Sequence, residues 1–333
     1  MADSVRLATH AGTWYSNHAS ELSSTLQSYL NNTGKKSGSI PGARIVVSPH
    51  AGYRYCGPTM AHSYACLDIN SDVKKVFIIG PSHHVYFKNK VLLTKFKEIE
   101  TPIGKVKVDQ EITEDLLRGA NKEIFGFMDA ETDLNEHSLE MQFPMLIQTL
   151  KWRKKPPEEV EVVPLLVSHN STDVDYAIGR VLKEYLKDPT VLFILSSDFC
   201  HWGRRFGYTG YCGMESELDE AIGEETEIEM LTSRSKLSHH QLDIWQSIEL
   251  IDRGAMRVLS DSKNDSKYNM WKKYLEITGD TICGAKPIAI VLSAISFSER
   301  EVVFKWPHYS QSSKVSNLND SSVSYAAGYA TLL

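Results

Sequence analysis

The stretch VLFILSSDFCH (residues 191–201) is a continuous apolar run that ends abruptly in polar side chains. Two other stretches have the same form, IVVSPHAG (45–52) and VFIIGPSHH (76–84). Runs rich in Val and Ile without polar alternation are typical of strands that are buried on both faces of a sheet. We therefore predict three central strands, each followed by a loop whose side chains can bind a metal.

Helical patterns alternate with these strands along the chain. The apolar spacing predicts helices over residues 20–30, 136–150, 174–186, 241–259 and 287–297. The predicted strands cover residues 43–48, 75–79, 160–167, 191–196, 302–305 and 323–329, with a hairpin over 91–108. Such alternation predicts an α/β fold with a central, mostly parallel sheet and helices on both faces. We expect one domain spanning residues 1–333.

The composition excludes several classes of protein. The chain has 333 residues, 42% of them hydrophobic, which is ample for a core. Its net charge of -6 and lack of a long basic block argue against nucleic acid as a partner. No run approaches the ~18 apolar residues of a membrane span, and the N-terminal residues 1–6 carry no signal-peptide pattern. The five cysteines lack paired spacing, which indicates a reducing compartment: the cytoplasm, and the nucleus as a second location.

Polar side chains at the strand ends predict a shared site. In open α/β sheets, ligands bind beyond the carboxyl ends of the strands. If the three apolar strands are neighbours, His50, His83 and the pair Asp198 and His201 meet in one crevice. One strand-end histidine is more often a structural hydrogen-bond donor than a ligand, but three such ends favour a common site. We expect His84 to pack or to support a ligand by a hydrogen bond.

Cys283 is the candidate anionic ligand. It lies in TICG (281–284), just before the predicted helix at 287–297, where backbone amides favour a thiolate. The alternative is a small buried residue, which is how we interpret Cys56, Cys66, Cys200 and Cys212. Two histidines, an anionic ligand and open positions are typical of mononuclear non-haem iron sites, whereas thiolate ligation keeps Cu(I) and zinc as alternatives.

Five further residues have two interpretations each. Glu136 and His137 either support the ligands by hydrogen bonds or simply cap the helix that they begin. Trp14, Tyr53 and Tyr55 either line the crevice or pack beneath it.

The chain resembles the eukaryotic Memo family, named as mediators of cell motility, along almost its whole length. The resemblance rests on HAGTWY (10–15), SPHAGYRYCG (48–57), GPSHH (80–84), EHSLEMQFP (136–144), SSDFCHWG (196–203), TICG (281–284) and DSSVSYAAG (320–328), in this order.

The resemblance implies a fold similar to the class III extradiol (LigB-type) dioxygenases. Matching motif to motif, it assigns His50, His83 and Cys283 as metal ligands, with iron (Fe2+) first, copper second and zinc less favoured. It places His201 as the acid/base residue and Asp198 as the group that orients His201 or joins the metal. The oxygenases carry Glu where this chain has Cys283, so ring cleavage does not transfer.

The function implied by the resemblance is that of an intracellular metal-binding redox protein in signalling and in cell motility or growth. Whether it is an enzyme, dioxygenase-like or copper-dependent, stays open. The alternative is a non-catalytic adaptor whose vestigial cleft binds phosphotyrosine peptides of signalling partners, and a zinc hydrolase is a third reading. The chain departs from the family pattern at Gln142, where animal members carry His.

Overall fold

The computed structural model describes residues 4–35 and 38–332. Residues 1–3 of the N-terminal stretch, and residues 36, 37 and 333, lie outside this description. No helix in the described part of the chain is long and apolar enough to cross a membrane.

Strands and helices alternate along parts of the described chain, and elsewhere several of one kind follow each other. The strands are β1 (Val5–Arg6), β2 (Ala43–Ser48), β3 (Lys75–Pro81), β4 (Val91–Leu93), β5 (Glu98–Thr101), β6 (Gly104–Val108), β7 (Phe125–Phe127), β8 (Glu161–Val167), β9 (Val191–Ser196), β10 (His201–Trp202), β11 (Gly210–Tyr211), β12 (Glu229–Met230), β13 (Phe304–Gln311) and β14 (Ser322–Thr331). The helices are α1 (Ala19–Asn32), α2 (Tyr53–Cys66), α3 (Gln110–Leu116), α4 (Ala130–Asn135), α5 (His137–Glu140), α6 (Gln142–Trp152), α7 (Thr172–Lys187), α8 (Glu215–Glu224), α9 (Ile244–Asp261), α10 (Asn264–Thr278) and α11 (Ala285–Ile295).

The central sheet is parallel in its middle and antiparallel at its margins. Strands β6, β8, β3, β9 and β2 lie side by side and parallel, in that order. The C-terminal strand β14 is antiparallel to β2, and β13 and β10 are antiparallel to β14. Within the predicted hairpin, β5 and β6 pair antiparallel as expected, whereas β4 pairs with β8 and β7 instead.

Helices cover both faces of this sheet, as predicted. Along β9, Val191, Phe193 and Leu195 pack with the apolar residues of α7 and α11. The alternate residues Leu192 and Ile194 pack with those of α1, α2 and α6. Side chains of successive strand residues point to opposite faces, so an unbroken apolar run fills both cores at once.

One predicted helix is split in the structure, and several helices were not predicted, among them α2, α3, α4 and α10. The predicted helix over 136–150 is split at Met141 into α5 and α6. Pro144 has no amide hydrogen to donate to the carbonyl of Glu140, which interrupts the helical ladder there. Helix α2 was not predicted, because most of its residues are buried and it has no apolar stripe on a polar background.

This topology places the candidate residues together. Strands β3, β9 and β2 are adjacent and parallel, so their carboxyl ends lie side by side. His83, Asp198 and His50 each follow the last residue of one of these strands by two positions. The three strands are therefore neighbours in the sheet, as the predicted site requires.

Candidate metal centre

Three potential ligands converge beyond the sheet. One ligand atom each from His50, His83 and Cys283 lies within 4.8 Å of the others. The Nε2 atom of His50 is 3.1 Å from the Sγ atom of Cys283. The ring centroids of His50 and His83 are 5.1 Å apart, and the two rings are roughly perpendicular. The structure thus brings together the two strand-end histidines and the late cysteine that the sequence singled out.

A glycine allows Cys283 to approach the strand ends. A Cβ atom on Gly284 would lie 2.2 Å from the Cβ atom of Ser197, so any larger residue would push the two loops apart. The Gly284 amide donates to Ser197 Oγ at 3.0 Å, and the Asp198 amide donates to Cys283 Sγ at 3.2 Å. Close contact between the loop before α11 and the end of β9 therefore positions the sulfur.

Glu136 holds His83 through two hydrogen bonds. Its carboxylate accepts from His83 Nδ1 at 2.9 Å and from the His83 amide at 2.8 Å, and it also caps α5 by accepting from the Ser138 amide. Burial acts to raise the pKa of Glu136, but the hydrogen bonds and charge of His83 prevail and lower it to about 2. Because an ionised carboxylate can only accept, His83 carries its proton on Nδ1 and leaves Nε2 free. Glu136 therefore both bonds to His83 and caps α5.

His137 forms the wall of the crevice. Its ring stacks on His83 at 4.2 Å and on Trp14 at 4.3 Å, so Trp14 lines the site. His83, Glu136 and His137 form a second group of atoms within 4.8 Å of one another. Burial, with the neighbouring charges of His50 and His83, lowers the pKa of His137 to about 3, so its imidazole is neutral at pH 7.

Asp198 and His201 lie beside the three converging residues. The Asp198 carboxylate accepts from the His50 amide at 2.8 Å, and burial raises the pKa of this carboxyl. His201 Nδ1 lies 2.9 Å from the Phe199 carbonyl and 3.2 Å from that of Thr281, so Nδ1 carries the proton and Nε2 is free. Asp198 and His201 interact electrostatically and share no hydrogen bond among the described residues.

Burial controls the charge of His50 and Cys283. It lowers the pKa of His50 well below its ordinary value, so that imidazole is neutral. Burial and the nearby Asp198 charge raise the pKa of the Cys283 thiol well above its ordinary value. The amides of Asp198 and Gly284 act in the opposite direction, as expected near a helix start, but desolvation is larger. A neutral imidazole nitrogen faces a thiol here, and that donor set fits a soft or borderline cation that displaces the thiol proton.

The profile of a protein family described as "Memo-like protein" matches residues 6–329 of the chain. The chain belongs to the Memo family. It is 59% identical to the MEMO1 family protein MHO1 of Saccharomyces cerevisiae, over 99% of each chain. It is 36% identical to the MEMO1 family protein C4H3.04c of Schizosaccharomyces pombe, over 99% of this chain and 100% of that protein. It is also 36% identical to Protein MEMO1 of Homo sapiens, over 98% of this chain and 97% of the human protein.

The remaining candidate residues in this Memo family protein differ in their exposure to solvent. Tyr53 packs beneath the crevice, where its hydroxyl donates to the Met141 carbonyl at 2.5 Å, whereas Tyr55 is 60% exposed. His84 is exposed. Cys283 is partly exposed, whereas the burial predicted for the other four cysteines is confirmed: these are Cys56, Cys66, Cys200 and Cys212.

Sequence reasoning missed two polar residues behind His50. Ser196 Oγ is 2.8 Å from His50 Nδ1, and Gln142 Nε2 is 2.8 Å from the same hydroxyl. All three side chains are buried. The signal for Ser196 was its position, a hydroxyl at the last residue of an otherwise apolar strand. For Gln142 the signal was its departure from the pattern of animal Memo family members.

Proposed function

We propose that this Memo family protein binds a transition metal through His50, His83 and Cys283, with the redox-active metals iron first and copper second, and zinc less favoured. The convergence of these three donor atoms within 4.8 Å carries the proposal. The neutral His50 imidazole and the His83 ring fixed by Glu136 each keep Nε2 available as a ligand. Two imidazoles with one thiolate suit iron and copper, and they tolerate zinc.

The residues beside the centre suit proton handling. The bound metal would supply redox and Lewis-acid chemistry at an open position. His201 keeps its proton on Nδ1 towards backbone carbonyls, so its Nε2 is able to accept and return a proton. Asp198 fixes the His50 loop through the His50 amide and places a carboxyl of raised pKa beside His201. We assign His201 as the proton carrier and Asp198 as its electrostatic partner, in a protein that acts inside the cell.

Metal analysis of untagged protein purified without chelator tests this function. We expect near-stoichiometric iron or copper in the wild type and at least a tenfold lower content in His50→Ala and Cys283→Ser. Thermal melting of each variant controls for folding. Equal metal content in the wild type and in both folded variants would refute the proposed centre. Stoichiometric zinc, with neither iron nor copper, would replace the redox assignment with the hydrolase reading.

An adaptor function is the second candidate, because the loop after His83 exposes apolar side chains beside the centre. Tyr86 is 63% exposed and Val85 is 38% exposed. The Lys88 ammonium lies 5.6 Å from the Tyr86 ring, so this loop offers an aromatic and a cationic contact, as a phosphotyrosine peptide requires.

Peptide competition distinguishes the two functions. A phosphotyrosine peptide that binds the metal-free protein, is displaced by added metal and is lost in Tyr86→Ala would support the adaptor. The unphosphorylated peptide is the control. Equal affinity for both peptides would refute phosphotyrosine recognition at this loop.

A further inference from the structure

A buried chain of polar groups runs from helix α6 to His50. Gln142 Nε2 donates to the Pro49 carbonyl at 3.0 Å and to Ser196 Oγ at 2.8 Å. Ser196 Oγ donates to the Ser138 carbonyl at 2.7 Å and lies 2.8 Å from His50 Nδ1. Gln142 and Ser196 have no measurable exposure, so water does not compete for these contacts.

The orientation of the Gln142 amide follows from its neighbours. The Pro49 carbonyl can only accept a hydrogen bond, so the amide nitrogen of Gln142 must face it. The amide oxygen then accepts from the Tyr64 hydroxyl at 2.9 Å. A flipped amide would place its oxygen against the Pro49 carbonyl and lose that bond. Gln142 therefore acts as a donor to Ser196.

The single proton of the Ser196 hydroxyl is also committed. The Ser138 carbonyl can only accept, and two oxygens 2.7 Å apart repel each other unless a proton lies between them. The Ser196 hydroxyl thus donates its proton to the Ser138 carbonyl and accepts a hydrogen bond from the Gln142 amide through one lone pair. One lone pair is left, and it faces His50 Nδ1. The proton between Ser196 and His50 must therefore belong to His50.

We infer that Gln142, acting through the Ser196 hydroxyl, is a positioning residue that fixes His50 with its proton on Nδ1 and its Nε2 free towards Cys283. The 3.1 Å separation between His50 Nε2 and Cys283 Sγ shows where that free nitrogen points. The consequence for metal affinity rests on the proposed function, whereas the position of the proton does not. Gln142 touches neither Cys283 nor His83 among the described contacts, so its effect reaches the centre only through His50.

Nitrogen-15 NMR of histidine-labelled, metal-free protein at neutral pH tests the proton position directly. The chain has 12 histidines, so the His50 signals are assigned by their loss in His50→Asn. We expect wild-type His50 to be protonated on Nδ1, and Gln142→Met to show some of the Nε2 tautomer because one of the two contacts that orient the Ser196 hydroxyl is lost. A wild-type His50 protonated on Nε2 would overturn the inference, even if Gln142→Met does not fold.

Metal titration measures the consequence. We expect Ser196→Ala to weaken Fe(II) binding by about tenfold or more, and Gln142→Met by about three- to tenfold, at the lower end of the losses seen for supporting groups. Gln148→Met is the matched control, since Gln148 is a buried glutamine of the same helix whose amide oxygen accepts from Ser23. Gln142→Met with wild-type tautomer and wild-type affinity would show that Gln142 does not act on His50. A changed tautomer with unchanged affinity would instead count against His50 as a ligand.

Discussion

The two histidines of the centre are held in opposite ways. His50 is 1% exposed, and its Nδ1 atom contacts the neutral hydroxyl of Ser196. The His83 side chain is 26% exposed, and its Nδ1 atom contacts the ionised carboxylate of Glu136. Each arrangement leaves Nε2 as the free nitrogen. In His50 a network of neutral hydrogen-bonding groups holds the proton on Nδ1, and in His83 the charged carboxylate of Glu136 does so.

The difference lies in the partners available to a buried charge, since Glu136 is itself only 1% exposed. A carboxylate behind His50 would sit in a fully buried position, where an ionised group is expensive unless it is paired. Behind His83 the charge of Glu136 is stabilised by hydrogen bonds from the His83 amide, the His83 ring and the Ser138 amide. We propose that the buried arm, His50 with Cys283, would fix the geometry of a bound metal, and that the exposed arm, in which His83 is partly exposed and Glu136 is buried, would place a negative charge behind its histidine.

The largest expected effect is the loss of the sulfur from the buried arm. Cys283→Ser should weaken Fe(II) or Cu(I) binding by roughly a hundredfold or more, because a neutral hydroxyl is a far poorer ligand than a thiolate. The fold should persist, since the large core does not depend on a metal. Anaerobic metal titration measures the loss, and Cys212→Ser, at a cysteine outside the cluster, is the control. Binding within about threefold of the wild type would remove Cys283 from the ligand set.

The exposed arm is tested by neutralising its carboxylate. Glu136→Gln should weaken metal binding by about ten- to a hundredfold, because the substitution removes the charge behind His83. Glu140→Gln is the matched control: Glu140 is also buried and also has a pKa lowered to about 2, but it pairs with Arg6 and His10. If Glu136→Gln and Glu140→Gln bind metal equally well, the negative charge of Glu136 does not contribute to metal binding.

Much of this site was predictable because strands and motifs are local features. The central strands β2 and β9 were predicted with the bounds that the structure gives. The candidate ligands His50 and His83 followed from the strand ends, and Cys283 followed from the TICG motif. The split at Met141 escaped prediction, since an apolar periodicity continues across a proline near a helix start.

Long-range contacts were not predictable from one sequence. The hydrogen bonds between His50 and Ser196 and between Gln142 and Ser196 join residues that are 146 and 54 positions apart. The pKa of Cys283 also depends on burial by other loops, so the local helix start suggested the wrong direction.

Acid should destabilise the metal-free protein through two groups at the site, Glu136 and His137. The pKa of Glu136 is lowered to about 2, so its stabilising contribution is complete above its unfolded value and is lost as the pH falls from about 4.3 to 2. The shift corresponds to about 3 kcal/mol in the free energy of unfolding, as an order of magnitude. The pKa of His137 is lowered to about 3, so stability also declines as the pH falls below about 6.5, where unfolded chains take up the proton.

Urea denaturation at pH 7, 5.5 and 4 separates the two contributions. We expect His137→Gln to flatten the decline between pH 6.5 and about 4, and Glu136→Gln to leave that range unchanged while lowering stability at pH 7. An unaltered pH profile in His137→Gln would contradict a neutral, buried His137.

The smallest expected effect is that of His201→Gln, which should change metal affinity by no more than about twofold. His201 lies outside the three converging ligand atoms, and its Nδ1 proton is directed at the carbonyls of Phe199 and Thr281. Its influence on His50 is a charge interaction that vanishes when both rings are neutral. His18→Gln, at an exposed histidine before α1, is the control for loss of an imidazole. A loss of metal affinity beyond about tenfold would make His201 a ligand. Unchanged affinity leaves His201 free to carry protons, because a residue that moves protons cannot also donate that lone pair to the metal.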